Sequence, residues 1–107
     1  MHAGNLRHRG TIQEHKKTRV EGGGFETQWV DIAAVWFSLE PLSGEEQVIA
    51  QQLQATVSHR IRIRYRAGVK PHHRLKMGNR IFNFSSVIDP DERRRQLEIM
   101  ASEEVRQ

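Results

Sequence analysis

The sharpest pattern in the chain lies between Thr56 and Arg66, where Arg60, Arg62, Arg64 and Arg66 alternate with Ile61, Ile63 and Tyr65. Strict period-two alternation marks a half-buried strand. One face would be apolar, carrying Val57, Ile61, Ile63 and Tyr65, and the other would carry four arginines. A helix would scatter the same residues round its circumference. Ala67-Gly68 and Pro71 then break the strand. Thr27 to Glu40 is the longest apolar stretch, with Trp29, Val30, Ile32, Val35, Trp36, Phe37 and Leu39. β-branched and aromatic residues dominate it and Pro41 ends it, which favours a strand over a helix. Val35, Phe37 and Leu39 would share one face, with Trp36, Ser38 and Glu40 on the other.

Weaker signals fill in the rest. Leu6 to Glu14 reads as a short, mostly polar strand that offers Leu6 and Ile12 to a core. A polar stretch with Lys16 and Lys17 leads to Gly22-Gly23-Gly24, where positive φ is free and a hairpin loop is expected. Leu75 to Met77 and Arg80 to Ile88 flank Gly78-Asn79, a two-residue turn signal. Gln96 to Ser102 alternates Leu97, Ile99 and Ala101 against Glu98 and Met100, giving a last strand after an Asp89-Pro90-Asp91 turn. The alternative over Asp91 to Gln96 is a helix capped by Asp89. Leu42 to Gln54 is rich in helix formers, with Ser43 as N-cap and Glu46 three residues on. Leu42, Val48, Ile49 and Leu53 fall at helical spacing, so this is either a short helix or a long excursion between strands. The sum is an all-β fold: one small antiparallel β-barrel or sandwich of about five or six strands, with an insertion at 42–54. A single domain spans 1–107.

Composition sharpens this picture. At 107 residues, with 36% hydrophobic and 28% charged positions, the chain can build one modest, lean core. A lean core suits a protomer whose full order depends on neighbours. No cysteine is present, which removes disulfides, thiolate metal sites and thiol nucleophiles. Met1 to Gly10 lack the apolar core of a signal peptide, and no apolar run approaches a membrane span. A soluble protein with no membrane partner is expected. The net charge is +4, but its distribution matters more. Thr56 to Arg80 holds eight Arg or Lys and no acid, whereas Ser38 to Ala55 holds three Glu and no base. Asp89 to Gln107 holds six acids against four Arg. Such division suits head-to-tail packing of identical subunits, or a basic patch for nucleic acid.

Candidate chemistry does not outlast its bland readings. His72-His73 point apart in a strand or loop, with no Cys and no nearby carboxylate to complete a metal site; exposed loop histidines are expected. Asp89 and Asp91 suit an Asx turn better than a carboxylate pair. Gly22 to Gly24 lack the Lys-Ser or Lys-Thr of a phosphate loop, and Ser85-Ser86 lack a nucleophile elbow. No enzyme, metal or cofactor is expected. The four arginines would form a stripe about 20 Å long. Base-stacking proteins add exposed aromatics to such charge, and here Tyr65 falls on the apolar face. A solvated or subunit-contacting face is favoured, while non-specific attraction to a DNA backbone needs only charge. Leu42, Val48, Ile49 and Leu53 either cover one open end of the barrel or dock on a neighbouring subunit.

Taken together, several segments resemble the phage head–tail joining family, also called head-closure or stopper proteins. They are Gly4 to Arg9, Ile12-Gln13, Trp29 to Trp36, Glu40 to Gly44, Ala50 to Ala55, His59 to Arg66, and Val87 to Ile99. No single motif decides the matter, but their order along nearly the whole chain is specific. Lys76 to Arg80 and Asn83 are more polar than the family pattern.

The resemblance implies a small β-barrel assembling as a ring, usually of twelve, beneath the portal and its adaptor ring. That ring continues the DNA channel, retains the packaged double-stranded DNA without reading its sequence, and docks the tail terminator or tail tube. Its place would be the neck of a phage, prophage or gene transfer agent particle, assembled in the bacterial cytoplasm. In some members a loop after the central strand plugs the channel; by position it would be Leu42 to Gln54. Subunit, partner or channel contacts are expected at Leu42, Val48, Ile49, Leu53, Arg60, Arg62, Arg64, Arg66, Arg93 and Arg94. Substituting the four arginines of the row by Glu is expected to abolish joining and leave the monomer folded. The alternatives are another neck component, adaptor or tail terminator, and a free-standing nucleic-acid-binding barrel.

Overall fold

A computed structural model describes residues 6–53 and 56–104. The alternating arginine segment forms a strand, His59–Arg64, with Ile61 and Ile63 fully buried. In chain order the elements are β1 (His8–Arg19), β2 (Phe25–Pro41), α1 (Gly44–Gln52), β3 (His59–Arg64), β4 (Arg74–Met77), β5 (Arg80–Ile88) and β6 (Gln96–Glu103). β3 pairs with β2 through Phe37↔Ile63 and Leu39↔Ile61, and with β6 through Ile63↔Leu97 and Ile61↔Ile99. Directly opposed residues share a face, so Phe37, Leu39, Ile61, Ile63, Leu97 and Ile99 all turn inward. The sheet continues from β6 through β5 and β4 and closes on β1, in the order β1-β2-β3-β6-β5-β4. Closure makes a barrel rather than a sandwich. Ile12, Leu75, Phe82 and Phe84 complete the core from the other wall. Gly10 is fixed by a close approach: a β-carbon there would lie 2.9 Å from the Lys76 carbonyl oxygen and 2.9 Å from the Phe37 ring.

The first two strands run past the barrel. β4 flanks β1 only at Thr11–Gln13, and β3 flanks β2 only from Phe37 onward. Glu14↔Val30 to Arg19↔Phe25 is therefore a two-stranded arm with no third strand. It turns at Gly22 and Gly23, whose φ values are 97° and 84°, and Val20 N–H donates to the Gly24 carbonyl. The molecule measures 49 × 30 × 27 Å as a result. The register shifts where the arm leaves the barrel, with Ile12↔Ala33 followed by Gln13↔Asp31, so Ile32 has no partner. Such a bulge bends a strand and increases its twist. The strand expected over Leu6 to Glu14 thus runs to Arg19, and Lys16 and Lys17 are strand rather than loop. Both faces of the arm meet solvent, so no apolar alternation announces it.

The insertion is a helix. Ser43 Oγ accepts from Glu46 N–H and Glu46 Oε1 accepts from Ser43 N–H, a complete capping box. Leu42, just before it, is 5% exposed, whereas α1 itself contains no buried residue. Gln54, the last residue of the expected insertion, and Ala55 after it lie outside the described residues. β3 is shorter than the expected Thr56 to Arg66: beyond Arg64 the chain leaves the ladder, and Tyr65 N–H donates to the Arg95 carbonyl. The helical alternative over Asp91 to Gln96 is not formed. Asp89 accepts the Arg94 N–H on its carboxylate at 2.8 Å and the Glu92 N–H on its carbonyl at 3.1 Å. This Asx-closed turn holds Glu92 and Arg94 at φ 54° and 57°, outside any right-handed helix.

Candidate docking surfaces

The arginine row divides into two halves with different surroundings. Arg60 stands opposite Glu40, and Arg62 opposite Glu98. Arg60 Nη1 lies 3.1 Å from Glu40 Oε1, and its Nη2 donates to Glu46 Oε2 on α1. Its Nε is 3.4 Å from Glu98 Oε1, an ion-pair contact without hydrogen-bond geometry. Arg62 reaches Glu40 at 3.2 Å and Glu98 at 3.6 Å. Two arginines and three carboxylates therefore form one network. The Arg60 hydrogen bond holds the Glu46 carboxyl below its ordinary pKa, and Glu46 in turn raises that of Arg60. Here the expected basic stripe is neutralised within the chain, and Arg60 ties α1 to the barrel wall through Glu46.

Arg64 and Arg66 differ. Both are exposed, and with Arg9, Trp36 and Tyr65 they line a cleft of about 210 Å³. Trp36 is 52% exposed and the Arg9 guanidinium sits 5.2 Å from its ring centre. Among the described residues no ion pair engages Arg9, Arg64 or Arg66. Arg93 and Arg94 are exposed in the turn before β6, away from regular structure.

The apolar residues of the insertion are likewise split. Leu42 is buried. Ile49, Ala50 and Leu53 form one wall of an open groove of about 430 Å³, with Val57, Ser86 and Met100 on the barrel side. Val48, Ile49 and Leu53 remain 53%, 52% and 75% exposed. Of these four residues, Leu42 alone is buried, and the three on or after α1 are left largely exposed.

At the base of the arm is a cluster the sequence did not single out. The Arg74 guanidinium lies 4.0 Å from the centre of the Trp29 ring, and His15 stacks on Trp29 at 4.6 Å. Arg74 Nε donates to Gln13 Oε1, and Gln13 Nε2 donates to Asp31 Oδ1, both at 2.8 Å. Gln13 is buried. These contacts tie β4 to both strands of the arm where it leaves the barrel.

Comparison with known proteins decides the class. The family model for phage head completion proteins matches residues 1–104. This chain belongs to the phage head completion protein family. Protein SF1141 from Shigella flexneri 2a, known from a solution structure, is 31% identical over the full length of both chains, with a TM-score of 0.80. A chain of the virion of a native gene transfer agent particle shares the fold at a TM-score of 0.64 and 21% identity, over 94% of this chain and 97% of that one. No curated protein matches.

As a head completion protein, this chain is a structural component of a phage-type particle, within the class its sequence resembles. The expectation for the histidine pair needs correcting: His73 is 3% exposed, not an exposed loop histidine, and its ring meets that of His72 edge-on at 4.6 Å instead of pointing apart. Its Nδ1 accepts the Lys70 N–H at 3.0 Å, and its Nε2 lies 4.0 Å from Glu14 at the arm base. Burial, with His72 and Lys70 nearby, holds the imidazole below its ordinary value of 6.5, against the pull of Glu14. Burial likewise lowers His59, which packs edge-on against Phe82 at 5.3 Å. A lowered histidine favours the neutral ring in the fold, so the unfolded chain takes up protons first as pH falls. Stability should be level above about pH 7.5 and decline as pH drops through 6.5. Glu46 and Glu103, both lowered, act only below 4.5. Urea midpoints at pH 7.5 and 5.5 test this, and equal midpoints contradict it. His73→Gln should reduce the difference and leave the share that His59 contributes.

Proposed function

We propose that this head completion protein acts as the head-closure subunit of its particle. Copies form a homo-oligomeric ring, of twelve by family pattern, below the portal and adaptor. The ring retains packaged double-stranded DNA and presents the docking surface for the tail terminator or tail tube, at the neck of a particle assembled in the bacterial cytoplasm. The observation that carries this reading is the separation of two unpartnered surfaces along one strand. β2 begins in the bare arm and ends, through Pro41 and Leu42, at α1 and its open apolar groove. Seventeen residues of strand set them tens of ångströms apart. Different surfaces at opposite ends suit a subunit that meets unlike neighbours, in heterologous contacts that close into rings.

Electron cryomicroscopy of particles made with and without this protein tests the reading. Heads that leak or lack tails in its absence, with an empty layer beneath the portal, support it. Complete tailed particles formed without it overturn it. The cleft of Arg9, Trp36, Arg64 and Arg66 favours a second reading, a free-standing nucleic-acid-binding barrel, because charge beside an exposed aromatic is what a single strand engages. That reading requires tight DNA binding by the isolated chain, weakening steeply with salt.

A further inference from the structure

The bare arm carries an inference about how neighbouring copies meet, which rests on the ring reading above. Among the described residues, β1 has no strand beside it beyond Gln13 except β2, and β2 has none on its other side from Phe25 to Trp36. Both outer edges of the arm therefore present backbone N–H and C=O groups to solvent, the condition that templates pairing with another chain. A two-stranded ribbon is marginal alone and gains most from a third strand. Phe25, Val30 and Ile32 are 69%, 36% and 40% exposed along β2.

Charge selects which edges meet. Beyond Gln13, β1 carries Lys16, Lys17 and Arg19 against one acid, Glu14 at the arm base; from Phe25 to Trp36, β2 carries Glu26 and Asp31 and no Lys or Arg. Pairing β1 with β1 opposes basic edges, and β2 with β2 opposes acidic ones. Only β1 against β2 brings unlike charges together. Symmetry agrees: rotation about an axis along the arms points every arm the same way. The rising β1 of one copy then lies antiparallel to the falling β2 of the next, the ladder that these strands already make within one chain. The geometry points to edge-to-edge pairing of the arms of successive copies, β1 of each to β2 of its neighbour, joining the ring through one continuous β-sheet. The occupant of each open edge is a second copy of this chain.

The chain contains no native cysteine, so introduced thiols report cleanly. Lys17→Cys and Gln28→Cys, made as separate single variants and co-produced in assembled particles, can join to each other only between copies. A dimer formed with a short bis-maleimide, in mixed particles and not from an unassembled mixture, is the expected result. A charge exchange gives an independent check. The double variant Lys16→Glu/Lys17→Glu and the single variant Glu26→Lys should each assemble poorly alone, and a mixture should recover by alternation. Intact rings that show no cross-link, and that tolerate either charge variant, overturn the arm pairing and leave the ring reading standing. Wild-type particles that contain no ring overturn both.

Discussion

Phe37→Ala is expected to remove about 3–5 kcal/mol of folding stability, enough to leave little of the roughly 5–15 kcal/mol typical of a domain. Phe37 is completely buried and is opposed on one side by His8 and on the other by Ile63, so it belongs to two ladders at once. It also fills the space over Gly10, where no β-carbon fits. Neighbouring strands can close on the cavity only by shifting β1, and the Gln13 to Arg74 to Trp29 contacts resist that shift. Urea unfolding measures the loss. Phe25→Ala is the control: that ring is 69% exposed on the arm, and its removal should move stability by no more than about 0.5 kcal/mol. A Phe37→Ala variant within about 1 kcal/mol of the wild type, far below the roughly 3–5 kcal/mol of a buried aromatic truncation, would show that the barrel wall is not packed as described.

The second large effect is on assembly. Arg64→Glu/Arg66→Glu should leave the urea midpoint nearly unchanged, since neither arginine has an ion-pair partner in the described residues. Yields of joined particles should drop at least about tenfold, because reversing charge at a fitted surface juxtaposes like charges at a penalty of several kcal/mol. Arg60→Glu should behave in the opposite way: it adds a carboxylate beside Glu40, Glu46 and Glu98 and destabilises the monomer before any partner is met. The original expectation for all four arginines therefore separates into a folding half and a docking half. Joining that proceeds normally with the Arg64/Arg66 double variant removes the cleft from the docking surface.

Much of this architecture was legible in the order of residues. Alternation placed Ile61 and Ile63 inside and the arginines outside, Gly78-Asn79 located a hairpin, and Ser43 with Glu46 marked the helix start. Each signal is local, set by period or by a cap. What stayed hidden depends on tertiary neighbours. The arm lacks a buried face, so Lys16 to Arg19 look like loop. The three carboxylates that neutralise Arg60 and Arg62 come from β2, α1 and β6, and nothing in the spacing of Glu40, Glu46 and Glu98 says they converge. His73 looks like surface because its burial depends on the neighbouring arm base rather than on its own polar segment. For the cleft beside β3, the sequence named Arg64 and Arg66 but not Trp36 and Arg9, which join them only through the β2–β3 and β1–β2 pairings.

The closure of the barrel has a kinetic consequence. Most ladders join elements near in sequence, but the seam between β1 and β4 consists of three pairs, Thr11 to Gln13 against Lys76 to Arg74, and its side-chain contact spans 61 residues. Contacts of such separation form late, because a long loop must be restrained before they return any energy. A newly made chain is therefore expected to close this short seam last, after an open, curled sheet has formed. Until it is sewn, the inner edges of β1 and β4 are bare as well, and the interval before it is when the subunit is most exposed to pairing with the wrong neighbour.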